Sequence, residues 1–426
     1  MQTECNAKQL EFEGLGRRKV VASFDGGDMT SDSGVLLLRE TDRILGMSGA
    51  VAACFKDGRD QGKVVHSLET LVSQRIHGIA LGYEDLNDHD DLRHDSAMGL
   101  LSGLAEPGRK DCALLAGKST LNRLENSAPE PVKDSRYHKF GLDTGAMSDL
   151  FVQFFLAAYD TPPKHIILDP DNTDDPLHGN QEGRFFHGYY GHYCYTPLYI
   201  FCGRHLLAAR LQPASIDGAA CTIEELVRII PQIRKAWPDT RIELRADGGF
   251  CRDELQSWCE VNGVDYVVGC PQNSRLRERA APAMAEARRR SQQTGKAERV
   301  FTEFTYCTRG SWSCPRRVIA KAEYLPGKDG KADKTNYRFV ITSRKRTGFE
   351  AQEIYEEVYC ARGDMENRIK EAQLDLFADR TSTATMAANQ LRLWFSSLAY
   401  GNCSPRLFYP QTVEFIPCDL DQYFWI

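Results

Sequence analysis

The stretch HIILDPDNTDD, His165 to Asp175, decides how the chain folds. A short apolar run, Ile166 to Leu168, leads into a crowd of acids, the pattern of a buried strand that delivers carboxylates to its end. Downstream, Tyr193 to Phe201 and His205 to Leu211 read as two more strands, joined as a hairpin through Cys202, Gly203 and Arg204. Thr222 to Trp237 spaces Ile223, Leu226, Ile229, Ile230 and Ile233 at helical intervals, with Thr222 as the expected N-cap and Glu224 and Glu225 in the first turn. Arg241 to Asp247 is then a strand ending at an acid, Asp253 to Val261 a helix, and Val264 to Val268 another strand.

The predicted order is therefore three strands, helix, strand, helix, strand. A hairpin followed by alternating units implies a mixed α/β sheet, in the order of a ribonuclease-H-like core. Upstream lies a strand-like Val20 to Phe24, then amphipathic segments at Val64 to Leu81 and Ser119 to Asn126. The last of these fits either an ordinary packing helix or part of a helix-turn-helix.

The chain has 426 residues, 42% hydrophobic and 26% charged, which is globular usage and too apolar for a disordered chain. It has no apolar run of about 18 residues and no basic flank with an apolar stretch at its start, so membrane and secreted classes are not expected. Fourteen cysteines lie scattered without a C-x-x-C pair, which reads as reduced thiols rather than a disulfide or zinc scaffold. Charge is uneven. Pro271 to Glu350 holds 19 Lys and Arg against 8 Asp and Glu, a net +11 inside a chain whose net charge is −6. Arg288, Arg289 and Arg290 crowd a helical-looking part of it, and Trp312 sits between Arg309 and Arg316 as a candidate for base stacking or for anchoring a sheet. Such a segment is either a solvated basic face or a surface for DNA phosphates.

Three groups of residues carry chemistry. Asp169, Asp171, Asp174 and Asp175 crowd the end of the first strand; such acids repel one another unless a hard divalent cation neutralises them, or they cap the next turn. Asp247 occupies the corresponding end of a second strand, before Gly248 and Gly249, where backbone or substrate can come close. The third acid, Glu366, stands in Y-x-x-R-x-x-x-E-x-x-x-K-x-x-Q with Tyr359, Arg362, Lys370 and Gln373. At about 100° per residue these five fall on one helical face. The opposite side of that helix does not clearly read as core.

Asp171-Asn-Thr173, Asp247-Gly-Gly-Phe250 and the Tyr359, Arg362, Glu366 spacing together resemble the three catalytic regions of bacterial insertion-sequence transposases of the DDE superfamily. The closer group is transposase DDE domain group 1, with its Y-R-E-K signature. The run from Asp174 to Tyr190 and the stretch Glu366 to Arg380 are also similar to that group, and the resemblance spans roughly residues 10 to 400. It implies a ribonuclease-H-like core interrupted before the Glu by a β-rich insertion, for which the 118 residues between Asp247 and Glu366 leave room. It implies metal-dependent DNA cleavage at element ends and strand transfer into target DNA. Asp171, Asp247 and Glu366 would bind two Mg²⁺ or Mn²⁺ ions, while Tyr359 and Arg362 would hold the DNA backbone. Where the family has Lys, seven residues after the Glu, this chain has Gln373, with Lys370 one turn earlier.

The implied organisation is a mainly helical DNA-binding or accessory region over 1–155, the first part of the core over 156–270, the basic β-rich insertion over 271–350, the core helix with Glu366 over 351–400, and an atypical tail over 401–426. Implied partners are double-stranded DNA, both terminal inverted repeats and target, with a homodimer in the DNA complex, no membrane, and a cytoplasmic, nucleoid-associated location. Gly401 to Pro405 is expected to stop the last helix, and the tail shows no periodicity. A damaged tail would leave the alternative of a DNA-binding remnant impaired in catalysis. Two further signals carry less. The histidines His178, His187 and His192 with Cys194 match no common zinc spacing. The aromatic run Phe185 to Tyr195 could stack bases, but on a strand entering the core it is expected to pack.

Overall fold

The computed structural model describes residues 9–23, 30–101, 113–327 and 332–403. The chain is built on an eight-stranded mixed sheet. In chain order its strands are β1 His165–Asn172, β2 Leu198–Cys202, β3 His205–Arg210, β4 Arg241–Ala246, β5 Asp265–Cys270, β6 Glu298–Tyr306, β7 Arg316–Leu325 and β8 Lys334–Thr342. Their order across the sheet is β3-β2-β1-β4-β5-β8-β7-β6. β4 runs parallel to both β1 and β5, and every other neighbouring pair is antiparallel.

Alternation along the strands divides the core in two. Ile166, Leu168, Ile242, Leu244, Ala246, Tyr266 and Val268 point to one face and pack there with the helices α1 Thr144–Ala157, α2 Thr222–Ala236, α3 Asp253–Val261 and α4 Ser274–Thr294. On the other face Val267, Ile319 and Val340 meet Ile354 and Tyr355. Further along that face, Tyr199 and Phe201 of β2 pack with α5 Gly363–Leu374 and α6 Met386–Cys403. The N-terminal helices, chiefly Met47–Ala53, Leu68–Ala80 and Lys118–Glu125, join this second core through residues such as Val51, Leu71, Ile76 and Leu121.

Several expectations change in detail. Tyr193 to Phe201 is not one strand. Pro197, which has no N–H to give a ladder, separates β2 from a short strand His192–Tyr195. That strand pairs instead with Asp175–Pro176 and Phe185–His187 in a small three-stranded sheet. The helix α2 begins at Thr222, with Cys221 in the cap position and no side-chain cap bond. Segment 271–350 holds the 21-residue α4 as well as three strands, and those strands continue the main sheet because β8 pairs with β5. The last helix continues through the buried Gly401 and Asn402 to Cys403, within the Gly401 to Pro405 stretch expected to stop it; residues 404–426 lie outside the described residues. The cysteines among the described residues are free thiols, and none of their helices is long and apolar enough to cross a membrane.

Candidate active site

The register of the parallel pair β1 and β4 sets Leu168 beside Leu244. The paired ladder stops there, with Asp169 and Arg245 as the next residues up, and Asp171 and Asp247 stand above them near enough for the charge of Asp247 to act on Asp171. Period-two alternation turns Glu243, Arg245 and Asp247 to the same face as Asp169 and Asp171. That face is covered by the segment Ile354–Tyr359, a wide π-helical turn, followed by the tight turn Cys360–Arg362 and then α5. The Tyr359 to Gln373 stretch is thus not one regular helix.

Three carboxylate–guanidinium contacts stand one above another on this face. Glu243, fully buried, accepts from Arg344 at Nε (2.6 Å) and at the guanidinium terminus. One step up the strand, Arg245 donates to both oxygens of Asp169, Nε to Oδ1 at 2.6 Å and a terminal nitrogen to Oδ2 at 2.7 Å. Its remaining terminal nitrogen donates to the Val358 carbonyl at 2.8 Å. One side chain therefore ties together the strand of Asp171, the strand of Asp247 and the turn that carries Tyr359 and Arg362. At the top, the Arg362 guanidinium donates to Asp171 Oδ2 at 3.1 Å and to Glu366 Oε1 at 2.5 Å. A single planar group spans two carboxylates that lie 195 residues apart in the chain.

Asp247 caps its own turn by accepting from the Gly249 N–H at 2.8 Å. Gly269 on β5 is needed at close quarters, because a methyl group there would lie 2.6 Å from the Tyr359 hydroxyl and 2.8 Å from the Gly248 nitrogen. Burial raises the Asp171 carboxyl to about 7; Arg362 opposes the rise, and the charges of Asp247 and Glu366 add to it. Burial weakens the Arg362 charge, but Asp171, Glu366 and Asp247 outweigh it and lift that group above its usual value. Burial also raises Tyr359.

The other predicted positions separate. Asp169 is spent on Arg245, Asp175 accepts from the Thr381 hydroxyl at 2.9 Å, and the Asp174 carboxylate meets His192 at 2.8 Å. Gln373 is half-buried and donates to the Asp174 carbonyl at 3.0 Å, whereas Lys370 is exposed. The far side of α5 does form core, against the sequence expectation, since Met365, Ile369 and Ala372 are buried. The acidic and basic residues between them hid that stripe. Trp312 packs half-buried against Tyr306 with Arg316 over its ring, on the α2–α4 side of the sheet, opposite the carboxylates. Arg288, Arg289 and Arg290 lie on α4, which covers the far strands β6 and β7. Arg288 sits over Tyr324, and Arg289 and Arg290 share Glu286. The aromatic run does not all enter the core. Cys194 and Tyr195 are buried, but Phe185, Phe186, Tyr189 and Tyr193 are exposed. Sequence reasoning missed Arg245; in β4 the charges of Arg241, Glu243 and Arg245 alternate with Ile242, Leu244 and Ala246, which put a row of charges on one face of a strand that reads as buried on the other.

The donor chemistry of Asp171, Asp247 and Glu366 suits a hard divalent cation. Among the described residues no three ligand side chains already converge at metal spacing, and the guanidinium of Arg362 stands between two of the acids. This set can neutralise positive charge at a sheet end open enough to leave Glu366 about half exposed.

A family model described as transposase DDE domain group 1 matches residues 12–403. The chain belongs to that family of DDE transposases, which the carboxylates at the sheet end had led us to expect. No curated protein matches the chain.

Two outcomes follow. Arg245→Leu should cost about 3–5 kcal/mol in urea unfolding by leaving Asp169 buried and unpaired, while Arg245→Leu with Asp169→Leu should recover most of that loss. Asp171 binds its proton more tightly in the folded chain, so its contribution to stability falls as pH rises from its ordinary 3.8 to about 7. In metal-free buffer Asp171→Asn should therefore be more stable than wild type at pH 8, on the order of 2 kcal/mol, and the gain should vanish near pH 4. Equal pH profiles of the melting temperature would contradict this.

Proposed function

We propose that the chain is a DNA transposase with a ribonuclease-H-like catalytic core, cutting DNA at the ends of an insertion sequence and joining the freed end to target DNA. The strand order β3-β2-β1-β4-β5, with a hairpin leading into parallel units, supports that core. The observation that carries the functional reading is the meeting of Asp171, Arg362 and Glu366 beside Asp247, within a family match over nearly the whole chain.

Asp171, Asp247 and Glu366 would hold two divalent ions, Mg²⁺ or Mn²⁺. Bound there, such ions would supply Lewis-acid activation of a water or 3′-hydroxyl and stabilisation of the leaving oxygen in an in-line phosphoryl transfer. The chain's own groups prepare the place. Arg245 fixes the heights of the two strand ends, and Asp247 is oriented by the Gly249 N–H. Arg362, released from its two carboxylates, would turn its fork to a phosphate of the DNA backbone, the bidentate geometry that suits guanidinium. Tyr359, one turn earlier, would contact the same backbone. The basic surface of 271–350 would carry duplex DNA away from the cut, and inverted repeats with a paired copy of the chain would complete the assembly.

Asp171→Ala, Asp247→Ala and Glu366→Ala should each abolish Mg²⁺-dependent cleavage of element-end DNA while binding in the absence of metal stays within a few-fold. Retained cleavage in any one removes that residue from the reaction. A wild-type chain that binds DNA but does not cut it would favour the impaired remnant. Neutralising Arg288, Arg289 and Arg290 together should make the slope of log K against log salt shallower by about 1–3, at roughly 0.9 per lost phosphate contact. An unchanged slope would make them a solvated face.

A further inference from the structure

The aromatic hairpin that follows the first acid cluster has no part in the chemistry above. Phe185–His187 and His192–Tyr195 pair in register, Phe186 opposite Tyr193 and His187 opposite His192, with Gly191 in the left-handed conformation at the turn. Four rings are left in water: Tyr189 is 86% exposed, Phe185 50%, Phe186 49% and Tyr193 43%. An exposed cluster of large rings marks a contact surface.

Its composition narrows the partner. From Arg184 to Tyr193 there is neither an aliphatic side chain nor a carboxylate, only rings, glycines and the guanidinium of Arg184, which lies 3.9 Å from the centroid of Tyr193. Rings with a cation and no acid suit the π-faces and negative backbone of nucleic acid. Its position narrows the partner further. The rings run inward in contact, Tyr189 to Tyr190 at 5.1 Å and Tyr190 to His192 at 6.1 Å. His192 meets the Asp174 carboxylate at 2.8 Å, and the Asp174 carbonyl is held by Gln373 of α5. The ladder thus starts in solvent and ends three residues from Asp171, between the two segments that carry Asp171 and Glu366.

Resting on the transposase reading, we propose that this hairpin stacks on unpaired nucleobases flanking the scissile phosphodiester and holds the DNA open beside the carboxylates. Tyr189 and Phe186 supply the outer stacking faces, and the site takes single-stranded or locally melted DNA of any sequence.

The test uses full-length protein without divalent ions and two DNA probes, a paired duplex and the same duplex with a short unpaired stretch carrying 2-aminopurine. Wild type should bind the unpaired probe more tightly and change its 2-aminopurine fluorescence. Phe186→Ala with Tyr189→Ala should lose about tenfold or more in affinity for the unpaired probe and leave the paired one unchanged, while Tyr189→Phe keeps both. Equal binding of the two probes by wild type, or an unchanged double variant, would overturn the proposal. So would a double variant that self-associates less yet binds both probes normally, because the rings would then face a second copy of the chain. Since binding is read without metal, failure of the parent reading shows separately, as wild type that discriminates the probes but cuts no DNA when Mg²⁺ is added.

Discussion

The buried pair Arg245 and Asp169 holds the site in place. Two hydrogen bonds join neighbouring parallel strands just below the acids at their ends, and a third, to the Val358 carbonyl, fastens the turn that carries Tyr359 and Arg362. A buried ion pair of this kind adds little stability over a well-packed apolar pair, because both charges leave water. What it adds is geometry. Asp171, Asp247 and Arg362 come from three separate stretches of chain, and each stands within four residues of Arg245 itself or of a group bound to it.

The pair is one rung of a column. Along the same face Arg344 meets Glu243, Arg245 meets Asp169, and Arg362 meets Asp171 and Glu366. The two lower rungs are closed, each carboxylate matched by its own guanidinium deep in the protein. The top rung has three acids near one arginine, and burial alone already strains the ionisation of Asp171. Negative charge is thus in excess only where the column meets solvent. That is the arrangement expected of a place that takes in cations, and the apolar opposite face, packed by four helices, keeps it rigid.

Much of this was legible in the sequence. The apolar run before Asp169 and the alternating Arg241 to Ala246 before Asp247 marked two strands ending in acids, and the hairpin and alternating helices gave the mixed sheet. What could not be read was register. Arg245 and Asp169 stand 76 residues apart, and nothing local says that they meet; only the pairing of β1 with β4 brings the two strand ends and their acids together. The wide turn at Ile354–Tyr359 was hidden too; its Ile354 and Tyr355 pack against Val267, Ile319 and Val340, residues distant in the chain. The aromatic run misled because Tyr195 at its end does pack, while the rest forms a hairpin that turns through Gly188 and Gly191 and leaves Phe185, Phe186, Tyr189 and Tyr193 exposed.

Anomalous diffraction from crystals of the protein grown with Mn²⁺ measures most directly whether Asp171, Asp247 and Glu366 form one cation site. The expected result is manganese signal bounded by those three carboxylates, with the Arg362 guanidinium withdrawn from between Asp171 and Glu366. Manganese absent from that position, with Arg362 still bridging the two acids at saturating ion, would contradict it.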